Sequence, residues 1–91
     1  MTLRTEGYGH ENSWILGSEC SSDPPEQHGS YFYYTKTCTI LRGDKQLICE
    51  NANGSGWSGG FVIIENQVYC YDFSGGTHKF VWLRITGVTG K

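Results

Sequence analysis

The chain has 91 residues, a formal net charge of −2 and only seven Lys and Arg residues, which are scattered along the sequence. A chain of this length folds as one domain, which we predict to span residues 1–91. The scattered basic charge argues against nucleic acid and acidic membrane surfaces as partners, and no apolar run is long enough to insert into a bilayer.

The apolar segments are rich in β-branched and aromatic residues, and helical patterns are almost absent. The sequence therefore predicts an all-β fold, a small antiparallel β-sandwich or roll of about seven strands. In chain order the predicted strands cover residues 1–5, 13–17, 30–41, 45–50, 61–65, 67–73 and 79–86.

Turn-forming residues separate these strands. Residues 41–45, which contain Gly43 and Asp44, predict a tight turn. Glu65-Asn66-Gln67 predicts a hairpin turn in which Asn66 takes a positive φ. Residues 18–29 form the one long predicted loop, because Pro24 and Pro25 fix an extended backbone and remove two hydrogen-bond donors.

Four cysteines, Cys20, Cys38, Cys49 and Cys70, form an even set. The sequence has no Cys-x-x-Cys or Cys-x-x-His pair, which structural zinc sites use, so we predict two disulfides and no metal site. Of the three possible connectivities we favour Cys20 with Cys38 and Cys49 with Cys70, since each closes a local loop between neighbouring predicted strands; spacing alone leaves the other two open.

Disulfides form in oxidising compartments, so we expect an extracellular or cell-surface location. The first seven residues lack the apolar segment of a secretory signal peptide. Secretion would therefore require a leader that is absent from this sequence.

The final predicted strand is apolar on both faces. Val81, Leu83 and Ile85 alternate with Phe80 and Trp82. Such a strand lies centrally between two layers or places its second face against another molecule. We favour the central position.

Three Trp, six Tyr and four Phe residues exceed what a small core requires, so some of these aromatic side chains should be exposed. Exposed Tyr and Trp rings stack on sugars or pack against proteins. The candidate binding residues are Tyr33, Tyr34, Trp57 and Trp82, with Asn51 and Ser55 supplying polar groups.

A glycine-dense loop runs from Cys49 to Gly60. Four of the seven residues from Gly54 to Gly60 are glycines, which can take positive φ angles closed to other residues, so we expect a tightly folded loop anchored by Trp57. Asn53-Gly54-Ser55 is also an N-glycosylation sequon, which makes Asn53 a candidate glycan site.

This loop and its surroundings resemble a module of secreted bacterial and protist surface proteins. The module's usual loop reads Cys-x-Asp-Ser-Tyr-Gly-Asp-Gly-Trp-Asn-Gly-Gly, and a strand, a short turn and Tyr-Cys-x-Asp-Phe follow it. Asn51 and Ser55 stand where the usual loop has aspartates. The resemblance covers nearly the whole chain and is carried by residues 11–17, Cys20, Cys38, Gly54, Gly56, Trp57, Gly59, Gly60, residues 69–73 and the closing apolar strand.

The resemblance implies an extracellular β-module of surface, adhesive or matrix proteins, without enzymatic activity, and an acidic loop that looks like a calcium site. Calcium prefers several oxygen ligands that include carboxylates. Asn51, Asn53 and Ser55 offer only neutral oxygens. We therefore predict no cofactor, with calcium as the alternative.

Residues that could carry catalysis lack the necessary patterns. His10, His28 and His78 form no metal-binding or catalytic motif and are predicted to be exposed loop residues. The serines include no nucleophile elbow, and nearly all carboxylates fall at predicted turns or strand ends. We predict that the chain is not an enzyme.

Two functions are favoured over a third, a small hydrolase that uses Glu50 or Asp72. The first is a structural or adhesive module that self-associates, or joins other surface or matrix proteins, through a sheet edge formed by residues 1–5 or 79–86. The second is a carbohydrate-binding module that uses the exposed aromatics and the glycine-rich loop to bind glycans.

Overall fold

The computed structural model describes residues 1–87, which form eight strands in two four-stranded antiparallel sheets. The predicted all-β antiparallel fold is therefore confirmed. The first sheet has the order β4-β1-β6-β7 and the second β3-β2-β5-β8. The strands are β1 (Thr2–Arg4), β2 (Asn12–Leu16), β3 (Cys20–Ser21), β4 (Tyr33–Thr35), β5 (Gly43–Asn51), β6 (Phe61–Ile64), β7 (Gln67–Tyr69) and β8 (His78–Ile85).

The core consists of alternate residues of the strands of both sheets, as expected where one face of each sheet is buried. Strand β2, for example, buries Trp14 and Leu16 and leaves Ser13 and Ile15 partly exposed. The buried core residues on strands are Leu3, Val62 and Ile64 in the first sheet and Trp14, Leu16, Cys20, Leu47, Cys49, Leu83 and Ile85 in the second.

Both favoured disulfides are present, Cys20 with Cys38 and Cys49 with Cys70. Cys49 lies in β5 of the second sheet, whereas Cys70 directly follows β7 of the first. This bridge therefore joins the two sheets. The Cys20–Cys38 bridge ties β3 to the segment that follows β4.

The boundaries of several predicted strands were wrong. Only Tyr33–Thr35 of the predicted strand 30–41 is a strand. The backbone of Tyr31 takes a φ of 62°, which a strand does not allow, so β4 begins after this residue. Strand β3 was not predicted, and β5 begins at Gly43 inside the predicted turn. The hairpin between β6 and β7 is confirmed, with φ values of 49° at Glu65 and 65° at Asn66.

The positions of the first and last predicted strands differ from expectation. Strand β1 pairs with β4 on one side and β6 on the other, so residues 1–5 do not form a sheet edge. Strand β8 pairs with β5 and ends its sheet, so the favoured central position of residues 79–86 was wrong. The second apolar face of this strand is exposed instead.

Among residues 1–87, no helical segment has the length and apolar character needed to cross a bilayer. The two helical turns, Gly9–Glu11 and Pro25–Gln27, are 3-10 turns of three residues each.

Candidate functional site

The glycine-rich loop is folded around Trp57, whose side chain is completely buried. Its indole Nε1 donates to the Glu50 carbonyl at 2.8 Å, and its backbone N–H donates to the Phe73 carbonyl at 2.7 Å. The indole also packs against the Phe73 ring, with 6.2 Å between centroids. The prediction that Trp57 binds a ligand is wrong, because this ring is part of the core and cannot stack on an external sugar.

Gly56 shows why the loop needs glycine. Its φ is 70°, and an added Cβ would lie 2.5 Å from the Phe73 carbonyl oxygen and 2.6 Å from the Gly75 nitrogen. Any other residue would therefore clash with the backbone of the 73–76 segment. Two backbone hydrogen bonds hold the two segments together. The Gly56 N–H donates to the Gly76 carbonyl, and the Gly76 N–H donates to the Gly54 carbonyl.

Asn51 is the polar centre of the loop and is 2% exposed. Its Oδ1 accepts from the backbone N–H groups of Asn53 and Ser55, at 2.9 and 3.0 Å, which can only donate. Its Nδ2 must therefore point to the other side, where it donates to the Gly56 carbonyl at 2.6 Å and to Asn12 Oδ1 at 2.9 Å. With these bonds in place Asn51 cannot read sugar hydroxyls, so its predicted binding role is wrong.

The buried carboxylate of Glu11 accepts hydrogen bonds from three side chains of the loop. Asn53 Nδ2 donates to Oε2 at 2.6 Å, while Ser55 Oγ and Asn51 Nδ2 lie 3.2 and 3.3 Å from Oε1. Glu11 itself is 6% exposed, although the sequence pattern placed charged residues at exposed turns and strand ends. Ser55 is exposed as a residue, but its hydroxyl is committed to this network.

This arrangement does not fit a calcium ion. A calcium loop turns oxygen atoms toward a common centre. Here Asn51 and Asn53 turn their amide nitrogens toward Glu11, and Asn51 Oδ1 is taken by backbone N–H groups. Within residues 1–87, no group of three or more His, Cys, Asp and Glu side chains is placed to hold a metal ion.

Asn53 lies on the exposed side of the loop, as a glycan acceptor requires. Its amide is bonded to Glu11. Glycosylation at this position stays a prediction.

The predicted tyrosines occupy different environments. Tyr33 is 61% exposed, and the Arg4 guanidinium lies 4.8 Å from the centroid of its ring, in cation–π geometry. Tyr34 is half-buried, its ring lies 4.7 Å from that of His28, and its hydroxyl accepts a hydrogen bond from the Gly29 N–H. Of the two, Tyr33 alone offers an open ring face.

His28 was predicted to be exposed and is in fact 4% exposed. Its Nδ1 lies 2.7 Å from the Asn12 carbonyl oxygen, which can only accept, so Nδ1 carries a proton and donates. The prediction failed because the 3-10 turn Pro25–Gln27 folds against the turn Gly9–Glu11 and carries His28 inside. His10 and His78 are exposed, as predicted, but His78 is the first residue of β8 and not a loop residue.

The largest exposed aromatic side chain is Trp82, at 70%, and Phe80 beside it on β8 is 59% exposed. Residues two apart on a strand share a face, so both rings project from the outer face of the second sheet. Phe80 lies in a row with Ile48 and Ile15, which are partly exposed, and this row continues the apolar surface across the sheet. We call the side chains of His78, Phe80, Trp82 and Arg84 the β8 outer face.

At both ends of the β8 outer face a basic side chain lies beside a carboxylate of β5. Arg84 Nη1 lies 3.1 Å from Asp44 Oδ1, and His78 Nε2 lies 3.2 Å from Glu50 Oε2. The His78 ring is also stacked on Phe80, with centroids 5.9 Å apart and an interplanar angle of 12°. The surface is therefore an aromatic centre with a basic group, paired to a carboxylate, at each end.

Three exposed tyrosines, Tyr8, Tyr31 and Tyr71, were not among the predicted site residues. Tyr8 and Tyr31 are each 63% exposed and have φ values of 63° and 62°. Non-glycine residues seldom take such angles. The aromatic run that begins at Tyr31 indicated from the sequence that some of its rings are exposed, whereas the isolated Tyr8 gave no such indication.

Comparisons of this chain with protein families, with curated proteins and with solved structures find no match. The resemblance to the extracellular surface module stays a prediction.

Proposed function

We propose that this chain is a non-enzymatic extracellular structural or adhesive module that self-associates or joins a surface assembly, and that β8 is its contact strand. The observation that carries the proposal is an eight-residue edge strand with Phe80 and Trp82 on its exposed face. Edge strands expose unpaired N–H and C=O groups that can pair with another chain. Aromatic side chains beside such an edge add apolar area and are enriched at protein interfaces.

The two disulfides support the extracellular part of the proposal, because such bonds persist in oxidising compartments. The glycine-rich loop supports the structural part. Its polar groups bond to one another and its tryptophan is buried, so it stabilises the domain and leaves contact with other molecules to the sheets.

The test is light scattering with electron microscopy on the oxidised protein over a range of concentrations. We expect concentration-dependent assemblies that the substitution Trp82→Ala weakens. Tyr33→Ala is the matched control, since Tyr33 is also an exposed aromatic on an edge strand, in the other sheet. A monodisperse monomer at every concentration would refute the proposal, and equal effects of both substitutions would refute the role of β8.

A carbohydrate-binding module is the second candidate. The observation that favours it is the side-by-side projection of Phe80 and Trp82 from an open sheet face, on which sugar rings could stack. A glycan array measured with and without calcium tests it. Binding by the monomer that is lost in Trp82→Ala would replace self-association as the function, whereas an array without signal would eliminate glycan binding.

A further inference from the structure

Within residues 1–87, β8 differs from the other edge strands of the two sheets. Strands β4 and β7 have three residues each and β3 has two, whereas β8 has eight. Short edges are one way in which proteins avoid pairing with other chains. Strand β8 also contains no proline, and its register with β5 runs from Gly43 opposite Ile85 to Glu50 opposite His78 without a bulge. It is therefore a long, regular template for strand pairing.

The backbone hydrogen bonds show which residues of β8 face the free edge. Asn51 N–H donates to the Thr77 carbonyl at 2.8 Å, so this pair is hydrogen-bonded. Hydrogen-bonded and non-hydrogen-bonded pairs alternate along an antiparallel ladder, so the odd-numbered residues of β8 bond to β5. The even-numbered residues, His78, Phe80, Trp82 and Arg84, direct their N–H and C=O groups away from β5. The other side of β5 shows the same alternation. Gly17, which follows β2, donates its N–H to the Gln46 carbonyl, so the even-numbered residues of β5 bond toward β2 and the odd-numbered ones toward β8.

We propose that two copies of this chain pair through β8, antiparallel, about a twofold axis at Val81. The inference rests on the proposed function and specifies its partner and register. Phe80 then lies opposite Trp82 of the second copy, His78 opposite Arg84, and Val81 opposite itself. The second sheets of the two copies join into one continuous eight-stranded sheet.

The hydrogen-bonding pattern selects this register. With the axis at Val81, each of the four edge-facing residues meets an edge-facing residue of the second copy, so the free N–H and C=O groups are satisfied reciprocally. An axis at Trp82 would leave His78 without a partner inside the strand. A shift by a single residue would place the exposed face of one copy against the core face of the other.

The side chains fit the same register. Phe80 and Trp82 of both copies form a cluster of four aromatic rings at the centre, and cross-strand aromatic pairs stabilise antiparallel sheets. His78 and Arg84 meet at each end of the pairing. Each of these side chains already lies beside a carboxylate of its own chain, His78 beside Glu50 and Arg84 beside Asp44, so the Arg84 guanidinium does not meet the second copy unpaired. The central aromatic cluster is therefore the side-chain contact that supports this register.

The first test measures amide hydrogen exchange by NMR at low and high protein concentration. We expect the amides of Phe80 and Trp82 to exchange more slowly at high concentration, because they are bonded only in the dimer. The amides of Val81 and Leu83 are the internal control, since they bond to β5 in every state. Assembly without slower exchange at Phe80 and Trp82 would overturn this inference and leave the proposed self-association standing, whereas absence of assembly would overturn both.

The second test measures the register by cross-linking. The N–H and C=O groups of Val81 point toward β5 and away from the free edge. The two copies therefore form a non-hydrogen-bonded pair at Val81, with Cα atoms about 4.5 Å apart. A disulfide spans about 4.4 to 6.8 Å, so V81C should give a covalent dimer in a redox buffer. K79C is the matched control, because its two Cα atoms would lie about 13 Å apart at 3.3 Å per residue.

Intact mass and peptide mapping decide the outcome, with both native disulfides required in the product. A covalent V81C dimer and a monomeric K79C support the register. If protected amides at Phe80 and Trp82 accompany a V81C that stays monomeric with its native disulfides formed, the axis at Val81 is refuted.

Discussion

The carboxylate of Glu11 accepts a hydrogen bond from the side-chain amide of Asn53 at 2.6 Å, although 42 residues separate them in the chain. Ser55 Oγ adds a second bond to the same carboxylate at 3.2 Å. The 3-10 turn before β2 therefore supplies the acceptor that fixes the shape of the loop after β5. A loop held by one distant carboxylate should depend strongly on it.

We predict that Glu11→Ala destabilises the protein by about 1–3 kcal/mol, because it removes the charged acceptor that joins Asn51, Asn53 and Ser55. Glu26→Ala is the control, because Glu26 is exposed on the neighbouring 3-10 turn and should change the stability by less than about 0.5 kcal/mol. Urea unfolding measures both. Equal midpoints for the two variants would contradict the role of Glu11.

Asn51→Asp should also destabilise the protein, by about 1–3 kcal/mol or more. The substitution replaces the donating Nδ2 with an oxygen that faces the Gly56 carbonyl, Asn12 Oδ1 and Glu11. Asn66→Asp adds the same charge at an exposed turn residue and should have little effect. The free energies of unfolding from denaturant titration give the comparison.

Calcium should leave the unfolding temperature of the wild-type protein unchanged, since the loop turns amide nitrogens rather than oxygens toward Glu11. Thermal unfolding with added calcium and with a chelator measures this. A calcium-dependent rise in Tm, which linkage requires of any ion that binds the folded state, would show that the loop rearranges around the ion.

Several features that depend on nearby residues were predicted correctly from the sequence, although the turn at residues 41–45 and the bounds of the strand at residues 30–41 were not. The β6–β7 hairpin follows from Glu65-Asn66, and both disulfides close local loops between segments 18 and 21 residues apart. The alternation of Phe80 and Trp82 with Val81, Leu83 and Ile85 also correctly assigned the two faces of β8. It could not say whether β8 is central or an edge, because that depends on which strands the rest of the chain places beside it.

The contents of the candidate site were harder to predict for the same reason. Trp57 was predicted both to anchor its loop and to bind a ligand; Phe73 and the 73–76 backbone cover the ring, so only the anchoring role is confirmed. Glu11 has no pattern that marks a buried carboxylate, since its partners follow it by 40 to 44 residues. Long-range contacts of this kind leave no local periodicity in the sequence.

Trp57 and Trp82 should respond oppositely to truncation. Trp57→Ala removes a fully buried indole and should cost about 3–5 kcal/mol, whereas Trp82→Ala removes an exposed one and should leave the stability of the monomer nearly unchanged. Denaturant unfolding at a concentration where the protein is monomeric separates the two effects. A large loss of monomer stability in Trp82→Ala would mean that this ring packs within its own chain.

The two disulfides should contribute unequally, although the loops they close are of similar length. Because each disulfide restricts the unfolded chain, each should add about 3 kcal/mol to the free energy of unfolding. Replacing Cys49 and Cys70 with Ala also empties a buried site that joins the two sheets, whereas the Cys20–Cys38 bridge is less enclosed. The double substitution of Cys49 and Cys70 should therefore lower the unfolding midpoint more. The reverse order would indicate that the segment after β4 governs stability.

Glu19 should make stability depend on pH. Hydrogen bonds from Lys45 and from the backbone N–H of Leu41 lower the pKa of Glu19 below its usual 4.5. A carboxyl group whose pKa is lowered on folding stabilises the folded state above its unfolded pKa, and this contribution disappears as the pH falls through the folded pKa. Glu19→Gln should therefore be less stable than the wild type at neutral pH, and the difference should shrink on acidification below about pH 4.5. Urea unfolding across this pH range measures the difference.

A Lys45→Gln background is the control for this prediction. The stability difference that Glu19→Gln produces should then change less with pH, because the largest cause of the lowered pKa of Glu19 is gone. An unchanged dependence on pH would assign the effect to another group.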